Sequence, residues 1–179
     1  FPYTTLFRSG REIRHAFVAE PGWQLVDADY SQIELRVLAH MSGDTGMQAA
    51  FLHDEDIHAR TAAEVYGVPK AVNFGIVYGI SDFGLARNIG VSRREAAEFI
   101  ERYFSRYPGV KRYMDEQVRL GREQGYVTTL FGRRRYLPEL ESSVYTMRAF
   151  GERAAMNSPI QGTAADIIKL AMIRVHDAL

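Results

Sequence analysis

The sequence predicts a mainly α-helical protein with small antiparallel β elements, an α+β fold class. Most of the chain has apolar residues three and four positions apart between Gly or Pro stops, the pattern of amphipathic helices. Only two stretches, near residues 24–27 and 126–138, show the patterns of strands. A 46% hydrophobic and 25% charged content over 179 residues is typical of an ordinary globular protein.

Composition excludes several kinds of protein. No apolar run is long enough to span a membrane, and there is no secretory signal pattern. The chain has no Cys, so disulfides and thiolate metal sites are excluded and a reducing compartment, the cytoplasm, is expected. The 22 basic and 22 acidic residues balance, so charge alone argues mildly against a nucleic-acid partner.

The first nine residues, Phe1–Ser9, do not fit the rest of the chain. They show no period, and they match the translation of a common sequencing-library adapter. We therefore expect 1–9 to be a non-native leader that packs poorly.

An apolar run after Pro21 predicts a short buried strand over residues 24–27. Because strand side chains alternate, Asp27 and Asp29 are expected on the same side of it. Two carboxylates at a strand end are costly unless a cation or hydrogen-bond donors meet them. On periodicity alone, an ordinary polar turn is the favoured alternative.

A helix is predicted after this strand, with an apolar stripe over Ile33–Met41 and a stop at Gly43. Ser31 and Glu34 fit a capping box at its start. A helix N-terminus attracts phosphate, so a carboxylate beside it suits a divalent metal that carries a polyphosphate.

The later helices are predicted from their caps and stops. Ser81 caps a short helix that Gly90 ends, and the pair Ser92 and Glu95 forms a capping box for the next one. Further helices are predicted over residues 59–66, 110–124, 143–156 and 163–179. Residues 157–162 are expected to interrupt the last two, because Pro159 lacks a backbone donor.

A hairpin with a basic return strand is predicted over residues 126–138. The arginines at 133–135 could contact a phosphate backbone or form salt bridges to Glu139, Glu141 or other carboxylates, and both interpretations stay open. His53, Asp54 and His58 form a weak candidate metal site. Their spacing differs from H-E-x-x-H, so a solvated loop is favoured.

Four strings resemble, in order, the motifs of the family A DNA polymerases, the bacterial DNA polymerase I family. They are DYSQIELR at 29–36, which resembles motif A, KAVNFGIVYG at 70–79, which resembles motif B, TLFGRRRYLP at 129–138 and RAAMNSPIQGTAAD at 153–166. The resemblance begins near Gly10. It implies the start of a palm at 10–40, helical fingers at 41–141 and an incomplete return to the palm at 142–179.

The resemblance also implies roles for individual residues around a nucleotide. Asp29 would be the catalytic carboxylate and bind Mg²⁺ together with the Tyr30 carbonyl, with two ions in the intact enzyme. Gln32 would contact the nucleotide near its phosphates, and Glu34 would be the steric gate that excludes a sugar 2′-hydroxyl.

Motif B and the fourth string imply the other contacts. His58 and Lys70 would hold phosphates, Phe74 would stack near the sugar and base, and Tyr78 would lie by the template base. Arg153, Asn157 and Gln161 lie four residues apart, so one helix face could donate to the minor-groove acceptors that all correct base pairs share.

The sequence departs from the family pattern in two places. Pro69 precedes Lys70 directly, and Tyr66 stands where the motif has Arg, so we expect a connector and the first helical turns to be missing. Near the end, residues 175–177 resemble motif C but continue a helix. We therefore assign Asp177 to a helix surface and expect the second metal-binding Asp to be absent.

The expected function is template-directed nucleotidyl transfer from a dNTP to a primer 3′-hydroxyl, by a two-metal mechanism in the intact parent. The partners would be primer–template DNA and dNTP, with no membrane and a monomeric state. The isolated chain is expected to be inactive, because the two-metal reaction needs a second carboxylate. The alternative is a non-catalytic fragment that binds nucleotide or nucleic acid, and a metal phosphohydrolase explains none of the other motifs.

Overall fold

The computed structural model describes residues 17–53 and 75–179, and the chain divides into two units, Phe1–Ser31 and Gln32–Leu179. The leader at 1–9 and the helix predicted at 59–66 lie outside the described residues. The mainly helical class with a small antiparallel sheet is confirmed. In order, the elements are α1 (Ile33–Ser42), α2 (Thr45–Leu52), α3 (Asp82–Ile89), α4 (Arg93–Arg106), α5 (Pro108–Gln124), β1 (Tyr126–Thr128), β2 (Arg134–Tyr136), a 3-10 turn (Pro138–Glu141) and α6 (Tyr145–Ala178).

The described part of the first unit, residues 17–31, contains a turn and no strand. The Trp23 amide donates to the Glu20 carbonyl at 2.9 Å, and Leu25 and Val26 are 68% and 88% exposed. The buried strand predicted over 24–27 is therefore wrong for this structure. A strand forms only with a hydrogen-bonded neighbour, and the sheet among the described residues pairs β1 with β2 alone.

The larger of two hydrophobic clusters among the described residues packs the helices of the second unit together, and the smaller one lies under the hairpin and the 3-10 turn. Helix α1 packs against both α5 and α6 and contributes Leu35 and Leu38, which are fully buried. Tyr103 of α4, Val110 of α5 and Ile160 of α6 complete the centre of this cluster. The core therefore fixes the start of α1 relative to the middle of α6.

The buried carboxylate of Asp44 joins the starts of two helices. Its Oδ1 accepts from the Met47 amide at 2.9 Å and caps α2, and its Oδ2 accepts from the Gly109 amide at 2.8 Å in the first turn of α5. A Cβ on Gly109 would lie 2.9 Å from the Asp44 Cα, so only glycine allows this approach. Both orphan amides are satisfied by one side chain.

The caps and stops predicted for the helices between residues 81 and 125 are confirmed. The Ser81 hydroxyl accepts from the Gly84 amide at 3.1 Å, and Ser92 and Glu95 form both halves of a capping box. Gly90 and Gly125 end α3 and α5 with φ of 73° and 78°, in the left-handed region that glycine adopts without strain.

The predicted hairpin is also confirmed. Strands β1 and β2 pair antiparallel with Tyr126 opposite Tyr136, and a five-residue connection, Thr129–Arg133, joins them. The two tyrosine rings lie 5.7 Å apart, in the range of a favourable aromatic pair.

Helix α6 is one continuous helix of 34 residues, so the interruption predicted at 157–162 is wrong. Pro159 lies inside the helix and is buried, and the Thr163 hydroxyl donates to the Pro159 carbonyl at 2.6 Å. Burial of Ile160 and Thr163 against the rest of the unit stabilises the helix on this face. Tertiary packing therefore outweighs the one backbone hydrogen bond that proline removes.

The last three turns of α6 leave apolar side chains exposed. Ile168, Met172 and Val175 recur on one face of the helix and are 40%, 66% and 58% exposed; we call these residues the exposed apolar face. Asp177 lies at the helix surface, as predicted. Among the described helices, none combines the length and apolar character that crossing a membrane requires.

Replacing Asp44 by alanine should lower the unfolding free energy by about 2–4 kcal/mol, because a helix cap is lost and the Gly109 amide is left buried without an acceptor. Urea unfolding would measure the change. Asp115→Ala is the matched control. Among the described residues Asp115 forms an exposed ion pair with Lys111, and its loss should cost less than about 1 kcal/mol. Equal losses in the two variants would contradict the role of Asp44.

Candidate functional site

The start of α1 has an unusual backbone. Gln32 precedes the helix with φ 54° and ψ 36°, and its side chain makes no capping hydrogen bond. A left-handed conformation costs a non-glycine residue about 1–2 kcal/mol, and such strain persists mainly at sites where function requires it. The side-chain Oε1 of Gln32 is buried and has no hydrogen-bond partner among the described residues. The Gln32 Oε1 is therefore available to accept a hydrogen bond at the start of α1.

The capping box predicted for Ser31 and Glu34 is wrong, because Gln32 occupies the N-cap position. The Glu34 carboxylate accepts a hydrogen bond from the Tyr78 hydroxyl instead of reaching back to the helix start. The contact joins the motif A and motif B strings, which are 44 residues apart in sequence.

The end of the motif B helix fixes Tyr78. Residues 75–77 are helical, and the turn closes with the Gly79 amide donating to Ile76 and the Ile80 amide donating to Gly75, both at 2.9 Å. Gly79 has φ 69°, so this is a Schellman ending with glycine at the left-handed position. Tyr78 is thereby held at the helix terminus.

Helix α6 contacts the same tyrosine from the other side. The Asn157 Nδ2 donates to the Tyr78 carbonyl oxygen at 3.3 Å, and the Asn157 Oδ1 is buried without a partner among the described residues. Three elements therefore converge on Tyr78: α1 through its hydroxyl, α6 through its carbonyl, and the helical turn that carries it.

Burial raises the pKa of Glu34 above its ordinary value of 4.5. The phenol of Tyr78 can donate to either protonation state, whereas partial removal of water disfavours the charged form. The carboxyl group at this position therefore holds its proton more tightly than an exposed glutamate does.

The predicted minor-groove residues lie on the middle of α6. Because the helix is continuous, Arg153, Asn157 and Gln161 keep a spacing of four and share a face. Arg153 and Gln161 are exposed and Asn157 is half-buried. A Cβ on Gly79 would lie 3.3 Å from the Arg153 Cγ, so this face begins directly beside the motif B turn.

A groove of about 330 Å³ runs between the hairpin and α6. Arginines line its hairpin side, and Ser158 and Gln161 line its helix side. Two of the arginines form the internal ion pairs that sequence reasoning left open: Arg133 meets Asp166 at 3.0 Å, and Arg135 meets Glu139 at 3.6 Å. The remaining arginine at 134 stacks its guanidinium 4.6 Å from the ring centre of Tyr126.

Asp166 is a residue that sequence reasoning quoted within a motif but assigned no role. Burial alone would raise the pKa of its carboxyl, but hydrogen bonds from Thr129 and Arg133 outweigh that effect and lower it. The carboxylate is thus kept ionised by partners within the protein.

The predicted metal ligands, Asp29 and Tyr30, lie in the first unit, and both are exposed. No three His, Cys, Asp or Glu side chains cluster as a metal site in the described ranges, 17–53 and 75–179. Mg²⁺ commonly takes one or two carboxylates and completes its six oxygens with water and substrate phosphates. One carboxylate and one backbone carbonyl therefore fit an ion that arrives with a triphosphate.

Some of the predicted site residues fall outside the part of the chain that the structure describes. His58, Lys70 and Phe74 lie outside the described residues, as does Asp54 of the weak metal candidate. His53 is exposed at the end of α2. The structure therefore brings together Glu34, Tyr78 and Asn157 of the predicted set and does not test these others.

Comparison with known proteins gives a consistent result. A family model described as DNA polymerase family A matches residues 3–179. The chain is 56% identical over 185 residues to DNA polymerase I of Caldicellulosiruptor bescii, covering 97% of this chain and 22% of that protein. It is 57% identical over 177 residues to DNA polymerase I of Geobacillus stearothermophilus, covering 92% of this chain and 20% of that protein.

A solved structure agrees with these sequence relatives. The POL domain of Pol1 from M. smegmatis, in complex with DNA primer-template and dNTP, matches with a TM-score of 0.86 and 46% identity. The match covers 94% of this chain and 32% of that one. The chain thus spans about a fifth of the length of the curated relatives it matches.

Replacing Glu34 by glutamine should flatten the pH dependence of folding stability. The folded state raises the pKa of Glu34, so the ionised side chain opposes folding above that raised pKa. This loss of folding free energy disappears as the pH falls towards 4.5, because the folded protein takes up its proton first and the unfolded chain is protonated only near that pH. Wild-type protein should therefore gain stability relative to Glu34→Gln between neutral pH and pH 4.5.

Urea unfolding at steps across that range would measure this difference. Glu101→Gln serves as the control, because Glu101 is exposed on α4 and should give a smaller change. A wild-type minus Glu34→Gln difference that does not vary with pH would contradict the assignment.

Proposed function

The chain belongs to DNA polymerase family A, and on that premise we propose that it carries part of the site for template-directed transfer of a nucleotide from a dNTP to a primer 3′-hydroxyl. The observation that supports this most directly is the joining of Glu34, Tyr78 and Asn157 through hydrogen bonds. These residues come from three separate motif strings, at 29–36, 70–79 and 153–166. The contacts that we propose to the sugar, the template base and the minor groove would therefore lie side by side.

On the nucleotide side, Glu34 would act as the gate against ribonucleotides. Tyr78 holds its carboxylate, so a sugar with a 2′-hydroxyl would meet a group already engaged and partly desolvated. Gln32, whose buried side-chain oxygen has no hydrogen-bond partner in the described part of the chain, would contact the nucleotide near its phosphates. His58, Lys70 and Phe74 would hold the phosphates and stack near the sugar and base.

On the DNA side, Arg153, Asn157 and Gln161 would donate to minor-groove acceptors of the newest base pairs. Purine N3 and pyrimidine O2 are present in every correct pair, so this contact tests pair geometry and does not read sequence. The groove along the basic hairpin would take the sugar–phosphate backbone of one strand.

Asp29 and the Tyr30 carbonyl would hold Mg²⁺ at the reaction centre. Bound ions of this kind lower the pKa of an attacking hydroxyl and stabilise the leaving pyrophosphate. Asp29 would contribute one carboxylate and Tyr30 one carbonyl oxygen, and a second carboxylate would be needed for a pair of ions. We therefore propose that the 179-residue chain alone does not extend primers.

Residues 10–40 and 142–179 would belong to the palm, and residues 41–141 would form the fingers. The protein would act as a monomer in the cytoplasm. The non-catalytic alternative, a fragment that only binds nucleotide or DNA, is less favoured because the similar proteins are DNA polymerases. An activity assay in the context of a whole enzyme separates the two.

Residues 10–179 would replace the matching segment of DNA polymerase I of Geobacillus stearothermophilus, with the host's own connector and first helical turns kept between Pro69 and Lys70, where we expect them to be missing. This chimera should give Mg²⁺-dependent primer extension. Asp29→Asn in this chimera should reduce extension at least about 100-fold, because one metal-binding charge is lost. Asp177→Asn is the matched control on the surface of α6 and should leave extension unchanged. A folded chimera that binds DNA but does not extend primers, or one indifferent to Asp29→Asn, would contradict the proposal.

Glu34→Ala in the same chimera should relax ribonucleotide exclusion. The ratio of kcat/KM for a dNTP over the matching rNTP should fall at least about tenfold, which corresponds to about 1.4 kcal/mol of lost discrimination. Glu101→Ala is the control and should keep the ratio. An unchanged ratio in Glu34→Ala would remove the gate role from this residue.

A further inference from the structure

The hairpin connection is fastened to α6 by a set of hydrogen bonds centred on Asp166. The Thr129 hydroxyl donates to its Oδ2 at 2.9 Å, and the Arg133 Nε donates to its Oδ1 at 3.0 Å. The same guanidinium donates through Nη2 to the Gly162 carbonyl at 2.9 Å, and the Thr129 hydroxyl accepts from the Arg133 amide at 3.2 Å. We call these contacts the Asp166 clamp.

The clamp holds the connection directly on the helix backbone. A Cβ on Gly162 would lie 2.5 Å from the Thr129 Cγ2 and 3.2 Å from the Arg133 Nη2, a spacing that only glycine permits. Gly162 comes directly after Gln161, the last of the predicted minor-groove residues. The clamp therefore lies against the part of α6 that would meet DNA, and it sets the distance between that part and the basic strand β2.

We propose that Asp166 is a positioning residue for primer–template DNA, which through Arg133 and Thr129 fixes the width of the groove between the hairpin and α6. The inference rests on the proposed function, since it assumes that Gln161 meets the minor groove and that the groove takes a phosphate backbone. With the clamp closed, a backbone held along β2 brings the minor groove to Gln161. With the clamp open, the DNA can no longer place its backbone along β2 and its minor groove at Gln161 at the same time.

The location of a carboxylate here supports this role. A negative charge beside a DNA groove repels phosphate, and Asp166 is only 14% exposed because its partners cover it. Its charge is used inside the protein to hold an arginine that is itself 54% exposed. A role through charge repulsion alone and a positioning role therefore predict opposite changes in DNA affinity when the charge of Asp166 is removed.

The test is DNA binding by the full 179-residue chain, measured by fluorescence anisotropy with a labelled primer–template at constant salt. If Asp166 only repels phosphate, Asp166→Asn should bind more tightly. If it positions the groove, Asp166→Asn should bind at least about threefold more weakly. Asp177→Asn, on the same helix but outside the clamp, is the charge-matched control and should bind as tightly as wild type or more tightly.

A second pair of variants keeps the test decisive if Asp166→Asn does not fold. Thr129→Val keeps the side-chain shape and removes both hydrogen bonds of the hydroxyl, whereas Thr129→Ser retains them. Positioning predicts weaker binding by Thr129→Val and wild-type binding by Thr129→Ser. Circular dichroism and urea unfolding of each variant confirm that folded proteins are compared.

A readout that a purely structural role would not move is the response to 3-deazaadenine, which lacks the N3 acceptor in the minor groove. Wild type should bind substituted primer–template more weakly, and Gln161→Ala should not respond to the substitution. The clamp predicts that Asp166→Asn and Thr129→Val, although folded, also stop responding, because Gln161 is no longer in register.

The outcomes separate the inference from the proposed function. If wild type responds to 3-deazaadenine through Gln161, and the folded clamp variants bind as tightly and respond as strongly, the positioning role is overturned and the proposed function stands. If wild type does not bind primer–template, or binds without any response at Gln161, the proposed minor-groove contact fails and the positioning role fails with it.

Discussion

A single buried hydroxyl, that of Thr163, joins three parts of the molecule. It donates to the Pro159 carbonyl at 2.6 Å, accepts from the Leu130 amide at 2.9 Å, and lies 3.7 Å from the sulfur of Met41. A hydroxyl has one proton to give and lone pairs to receive with, and here both capacities are used. The same hydroxyl thus bonds to the proline carbonyl within α6, holds the hairpin connection on the helix through Leu130, and contacts α1 through Met41. The candidate site is built on the same elements, with Glu34 on α1, Asn157 on α6 and the groove between α6 and the hairpin.

Tyr78 performs a similar joining task at the candidate site. Its hydroxyl reaches α1 through Glu34 and its carbonyl reaches α6 through Asn157, so two helices are related through one residue. The glycine after it makes this possible, because a left-handed Gly79 ends the helix at that residue. The residues that we propose as nucleotide gate and base-pair contact, Glu34 and Asn157, are therefore both hydrogen-bonded to the same tyrosine.

Sequence reasoning succeeded where structure is decided locally. The Ser92 capping box, the glycine stop at Gly125 and the hairpin around 129–133 all depend on residues a few positions apart. It failed at the strand predicted over 24–27 and at the break predicted near Pro159, because both depend on what lies across the fold. For the site, the motif strings identified Glu34, Tyr78 and Asn157, but no local rule relates side chains separated by 44 and 79 residues. The clamp at Asp166 was missed for the same reason.

The exposed apolar face of α6 also bears on how the protein behaves in solution. The whole chain has equal numbers of acidic and basic residues and an isoelectric point of about 7.2. Near neutral pH its copies therefore have almost no net charge to keep them apart. Uncovered Met172 and Val175, together with Leu25 and Val26 of the first unit, offer hydrocarbon surface to any neighbour. Colloidal stability should therefore be lowest near physiological pH, and a buffer one or two pH units away is the better choice for handling it at high concentration.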